Sequence, residues 1–143
     1  MRYLLDTNIL SNITKLEPSA SLLTWMAEQA DADLFIASLT LAEIHRGIME
    51  KPAGKKRAAL ETWFVSNEGP QSLFAGRILP FDEKAALIWG ELMAQGKAAG
   101  RPKSALDTII AAIAQSNSCI VVTDNERDFH GVEILNPLRQ TTI

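Results

Sequence analysis

The chain has one cysteine, Cys119, and two histidines among its 143 residues. A single thiol cannot form an internal disulfide, and it excludes a zinc cage built from cysteines, so a reducing, cytoplasmic setting is expected. His45 and His130 have no serine or cysteine partner at a recognisable spacing, which argues against a nucleophile–histidine pair. Aromatic residues make up only 6%, and Trp25, Trp63 and Trp89 are read as core rather than as base-stacking platforms. No apolar run approaches the roughly 18 residues of a membrane span, and the N-terminus lacks the basic and apolar regions of a leader, so no membrane association is expected. Positive charge is scarce as well. A net charge of -3 and a pI near 5.4 argue against holding a phosphate backbone by bulk charge.

What remains is the composition of a packed soluble domain, 47% hydrophobic and 22% charged. The length fits one domain over 1–143, able to bury roughly two-thirds of its unfolded surface. Strand-like runs stand at "RYLLD", "LFIAS", "RILPF", "CIVVT" and "VEILN". Between them apolar residues recur at helical spacing. Leu22, Leu23, Trp25 and Met26 form one core-facing stripe, and Leu41, Ile44 and Ile48 another. Further helices are expected over 55–67, 83–99 and 105–116, with loops over 52–54 and 69–76. The alternation reads as α/β. Strands apolar on both faces need helices on both sides, hence a mostly parallel sheet of about five strands, with a ligand crevice beyond the strands' carboxyl ends.

Acidic residues concentrate at such ends. Asp6 closes the first strand, Glu43 opens the helix after "LFIAS", Asp107 opens "DTIIAAIAQ", and "TDNERDF" follows "CIVV". Local capping accounts for several of them: Thr40–Glu43, Ser104–Asp107 and Thr123–Glu126 all have the capping-box spacing, and Asp6 suits a first helical turn or an Asx turn. Capping does not explain why an acid ends a buried strand, where serine would cap without the cost of desolvation. Convergence does explain it. Carboxylates crowded in a crevice take up protons unless a divalent cation neutralises them. Oxygen donors without a His or Cys cluster indicate Mg²⁺ or Mn²⁺, which suit phosphodiester hydrolysis.

"LLDTNIL", "ASLTLAEIHRG", "ALDTIIAAIAQ" and "VVTDNERDF", in that order over nearly the whole chain, resemble the PIN domain family and its small VapC-type toxins. "LFAGRILPFD" is similar to the FitB-like branch. The resemblance implies a three-layer α/β/α fold, a Mg²⁺- or Mn²⁺-dependent endoribonuclease, and the toxin half of a type II toxin-antitoxin pair. It also implies a homodimer that assembles further with a cognate antitoxin, whose helix or extended segment occludes the active site. By the same resemblance Asp6, Glu43 and Asp107 are the acidic site residues. Asn8 is a polar position that holds the site together, and Thr123 is the hydroxyl after the fourth strand. The last acidic position falls among Asp124, Asn125 and Asp128, with Asn125 and Asp128 favoured.

The mechanism expected from these residues has Asp6 and Asp107 holding one metal ion and Glu43 completing or orienting its water shell, and the resemblance implies that RNA is cut to leave a 5'-phosphate and a 3'-hydroxyl. RNA would be steered by Arg46, by Lys51, Lys55, Lys56 and Arg57, and by Arg101 and Lys103. Each basic cluster alone also reads as a solvated helix end or loop, and Arg46 could pair with Glu43 or Glu50 instead. Two other readings stand beside this one. Asp6 could be the nucleophile of a phosphatase, although Asn8 replaces the second acid such chemistry uses. The acids could also be caps in a non-catalytic, protein-binding module.

Overall fold

The computed structural model describes residues 1–13, 17–129 and 131–138, so His130 lies outside the described residues. All five expected strands form: β1 Arg2–Leu5, β2 Leu34–Ala37, β3 Ile78–Leu79, β4 Cys119–Val122 and β5 Ile134–Leu135. They make one parallel sheet in the order β3-β2-β1-β4-β5. The chain begins in the centre and winds outward in both directions. The sheet therefore has its topological switch between β1 and β4, where Leu5 is in register with Val122.

Helices cover both faces, as side chains alternating along β1 and β4 require. Leu4 and Val121 lie in a core with Ala85 and Leu92 of α6 (Glu83–Ala98) and Ile110 to Ala114 of α7 (Ala105–Ser116). Leu5 and Val122 face the other way. They pack against α1 (Thr7–Ile13), α2 (Ala20–Glu28) and α3 (Ser38–Met49). The three-layer α/β/α arrangement follows from that alternation. On the outside of α3 lie α4 (Lys55–Val65) and the short α5 (Pro70–Leu73).

Several details differ from the sequence reading. Leu23 is 45% exposed and leaves the α2 stripe, whose buried member is Leu22. The segment 69–76 is not all loop: Pro70 at the first helical position starts α5. The helix after β2 begins at Ser38 with Ala37 as its N-terminal cap residue, so Thr40 and Glu43 lie inside it and form no capping box.

Candidate active site

Beyond the carboxyl ends of the strands, a cleft of about 410 Å³ is lined by Asp6, Thr7, Asn8, Ser11, Asn12, Glu43, Asp107, Asp124 and Asn125. Asp6 sits at its floor, 5% exposed. The Asp6 amide donates to Val122 O at 2.9 Å, prolonging the β1–β4 ladder by one residue, while the Asp6 carbonyl accepts from Ile9 at 3.0 Å to open α1. One residue thus ends the strand and starts the helix, and this pins its side chain in the switch crevice. Asp6 Oδ1 accepts from the Thr7 amide at 2.8 Å, and Oδ2 from the Thr123 hydroxyl at 2.9 Å.

Thr123 is fully buried and organises the loop after β4. Its hydroxyl also accepts from the Asn125 amide at 3.0 Å and from Asn8 Nδ2 at 3.4 Å. The turn Glu126–Asp128 has Asn125 as its cap residue and no side-chain cap, so Thr123 serves Asp6 rather than a capping box. Among the three boxes expected, only the one at Ser104 has its cap, with the Asp107 amide donating to Ser104 Oγ at 3.3 Å.

Glu43 comes from the second turn of α3. It faces α1, where the Thr7 hydroxyl donates to Glu43 Oε1 at 2.7 Å. Asp107 projects from the first turn of α7. That turn is anchored on α6 by Trp89, whose indole N–H donates to Ala105 O at 3.0 Å. In the β4 loop, Asp124 and Asn125 line the cleft, and Asn125 Nδ2 donates to Asp128. Asp128 reaches the group through its hydrogen bond with Asp107.

Electrostatics record the crowding. Burial raises the Asp107 carboxyl, and the charges of Asp6 and Asp128 add to it, bringing it to about 6. Burial likewise pushes the Asp6 carboxyl above the usual range, against the lowering effect of its hydrogen bonds from Thr123 and Thr7, and Glu43 and Asp124 raise it further. Charges from four places in the chain therefore meet at Asp6 and Asp107, which independent helix caps would not do.

The donor set suits a hard divalent cation. Asn8 Oδ1 is buried without a partner, and an orphaned amide oxygen beside crowded carboxylates is a donor awaiting a cation or its water. Among the described residues no three acids draw close enough to enclose an ion unaided.

The cationic residues expected to meet RNA separate into three groups. Arg46 pairs with Glu50 at 3.2 Å and Arg57 with Glu61 at 2.6 Å, each one helical turn away. Lys51, Lys55 and Lys56 line a separate cavity of about 340 Å³ with Pro52 and Gly54. Arg101 is exposed, whereas Lys103 lays its stem where a Cβ on Gly96 would stand. His45 is exposed with its ring against Phe64.

Sequence reasoning missed Thr7, Thr40, Ser11 and Asn12. Thr7 sat inside the quoted "DTN", but nothing local indicates a partner 36 residues away. It also placed Trp63 in the core, whereas this residue lines an apolar groove of about 580 Å³ with Leu10, Ile44, Ile48 and Phe74. Ser11 and Glu43 border groove and cleft alike.

Comparison with known proteins agrees with this geometry. The PIN domain family matches residues 3–135. The chain is 36% identical over 135 residues to VapC ribonuclease Y4jK of Sinorhizobium fredii, covering 93% of this chain and 95% of that one. It is 34% identical over 136 residues to toxin FitB of Neisseria gonorrhoeae, covering 94% and 96%. A solved structure of FitAB bound to an IR36 DNA fragment superposes with a TM-score of 0.88 at 32% identity, covering 98% of both chains.

Proposed function

The chain belongs to the PIN domain family as a VapC-type toxin, and on that premise we propose that it is a divalent-metal-dependent endoribonuclease whose site is built from Asp6, Glu43 and Asp107. The observation that carries this reading is the convergence of these three acids, distant in sequence, on one cleft at the switch crevice.

Asp6 and Asp107 would hold Mg²⁺ or Mn²⁺, with Glu43 orienting its water shell. The ion would supply polarisation of the phosphoryl oxygen and a hydroxide at neutral pH. The protein's part is positional. Thr7 and Thr123 each donate to one Asp6 oxygen and fix the plane of that carboxylate. Asn8 presents its unpartnered Oδ1. Asn125, with Asp124 beside it, borders the cleft and tethers Asp128. Asn8 stands where a phosphatase with Asp6 as nucleophile would use a second acid, and that reading is disfavoured.

RNA is the substrate of such an enzyme. We assign its phosphate contacts first to Lys51, Lys55 and Lys56, whose cavity opens next to the apolar groove, since Lys51 lines both. Arg46, Arg57, Arg101 and Lys103 would add longer-range attraction. A cognate antitoxin is the protein partner. The groove beside Glu43 supports an inhibitory apolar segment that covers the cleft from that side. A homodimer, joined further by antitoxin, is the proposed assembly, and exposed Leu87 and Leu106 offer it apolar surface.

Incubating purified protein with structured and single-stranded RNA tests the reading. Cleavage is expected with Mg²⁺ or Mn²⁺, and none with chelator or in Asp6→Asn and Asp107→Asn. Full activity of either variant would reject it.

A further inference from the structure

We propose that Thr7 is a positioning residue for Glu43, its hydroxyl setting this carboxylate for metal binding. The inference rests on the nuclease reading above and adds a residue to it.

Thr7 holds two acids at once. Its backbone amide donates to Asp6 Oδ1 at 2.8 Å and its hydroxyl to Glu43 Oε1 at 2.7 Å. Behind it, the Thr7 and Thr40 hydroxyls stand 3.3 Å apart, and Thr40 is fully buried. A hydroxyl has one proton, and an ionised carboxylate only accepts. The Thr7 hydroxyl faces both Thr40 Oγ1 and Glu43 Oε1 as a donor, and its one proton goes to the closer acceptor, Glu43. The bond to Glu43 is the short, charge-assisted kind.

The Thr7–Glu43 bond solves a placement problem. Glu43 lies on α3, Thr7 on α1 and Asp6 between β1 and α1. A glutamate reaching from a helix has three rotatable side-chain bonds and cannot hold one position without a partner. Thr123 does the same for Asp6 from the β4 loop. Each acid thus has its own hydroxyl donor, with its other lone pairs left toward the cleft.

The test compares Thr7→Val, which keeps shape and loses the donor, with Thr7→Ser, which keeps the donor. Mn²⁺ affinity is read by calorimetry and Mn²⁺ symmetry by electron paramagnetic resonance, and folding is checked by thermal unfolding without metal. Thr7→Val should weaken Mn²⁺ binding about tenfold or more, the usual scale for a residue that orients a ligand. It should also alter the Mn²⁺ spectrum while unfolding close to wild type, and Thr7→Ser should restore both. In a Glu43→Ala background, Thr7→Val should add nothing, because residues acting through one contact are not additive. Equal Mn²⁺ affinity in wild type and Thr7→Val would overturn the inference and leave the nuclease reading intact, as would an undiminished effect of Thr7→Val in the Glu43→Ala background. Wild type that binds no Mn²⁺ would overturn both.

Discussion

Asp107 carries the clearest conflict between stability and function in the molecule. Its carboxyl is raised from 3.8 to about 6 by burial and by its acidic neighbours, so the folded protein favours its protonated form more than the unfolded chain does. The resulting stabilisation is complete below the ordinary carboxylate range and is lost as pH rises through about 6. Asp6 is shifted the same way and adds to the trend. Metal-free protein should therefore lose thermal stability from these two groups between about pH 4 and pH 7, and added Mg²⁺ should restore more of it at pH 7 than at pH 5. Asp107→Asn removes a charge from the crowd. At neutral pH without metal it should melt above wild type by a few degrees, while RNA cleavage falls to background, a familiar trade at functional sites. Unfolding scans across pH check both outcomes. Asp6 was legible in the sequence because a carboxylate at the end of an apolar strand has a desolvation cost that local capping does not justify. Thr7 and Thr40 were not, since their contact depends on α1 meeting α3. Thr40 and Thr123 both carry the T-x-x-E spacing of a cap, and only the actual start of the helix decides whether one is there; the resemblance, not the spacing, singled out Thr123 as the hydroxyl after the fourth strand.

Among the elements, the corner between α4 and α5 is the most demanding. A Cβ on Gly69 would lie 2.3 Å from Phe64 O and 2.5 Å from Trp63 O, both backbone atoms that cannot yield. Gly69→Ala should cost about 1–3 kcal/mol by denaturant titration. It should also disturb the groove, since Trp63 and Pro70 line it from either side of this corner. Arg77, just before β3, holds the neighbouring turns. Its guanidinium donates to Asp31 O and Leu34 O at 2.6 Å each and also to Leu73 O, and it lies 5.1 Å from the Phe74 ring centroid. Arg77→Met leaves these carbonyls without their donor, and a loss of about 2–3 kcal/mol is expected in the same titration. The strands and long helices were legible from periodicity. The four-residue α5 was not, because a proline and a serine between flanking glycines also spell a turn.

At the scale of the whole molecule, strand order decides the chemistry. The sequence indicates strands and their alternation with helices, but nothing local states that β4 lies beside β1, and that pairing brings the loop after β4 to Asp6. Asp107 illustrates the point: it follows a helix, and only the packing of α7 against α6 and the sheet places it near the strand ends. The distribution of charge is also a whole-molecule property, with an acidic cleft at one end of the apolar groove and Lys51, Lys55 and Lys56 at the other. If those lysines contact phosphates of single-stranded RNA, the logarithm of affinity should fall with the logarithm of salt concentration by about 0.7 per contact. Lys55→Ala with Lys56→Ala should then flatten the slope by about 1.4, as measured by fluorescence anisotropy in chelator. An unchanged slope would move the RNA path elsewhere on the surface.

The account turns on whether the crowded acids share a cation, and calorimetric titration of the metal-free protein with Mn²⁺ at pH 7 asks this directly. Saturable binding to wild type, lost in both Asp6→Asn and Asp107→Asn although these acids lie 101 positions apart in the chain, is the predicted result. Binding that survives either substitution unchanged, or wild type that takes up no Mn²⁺, would contradict it.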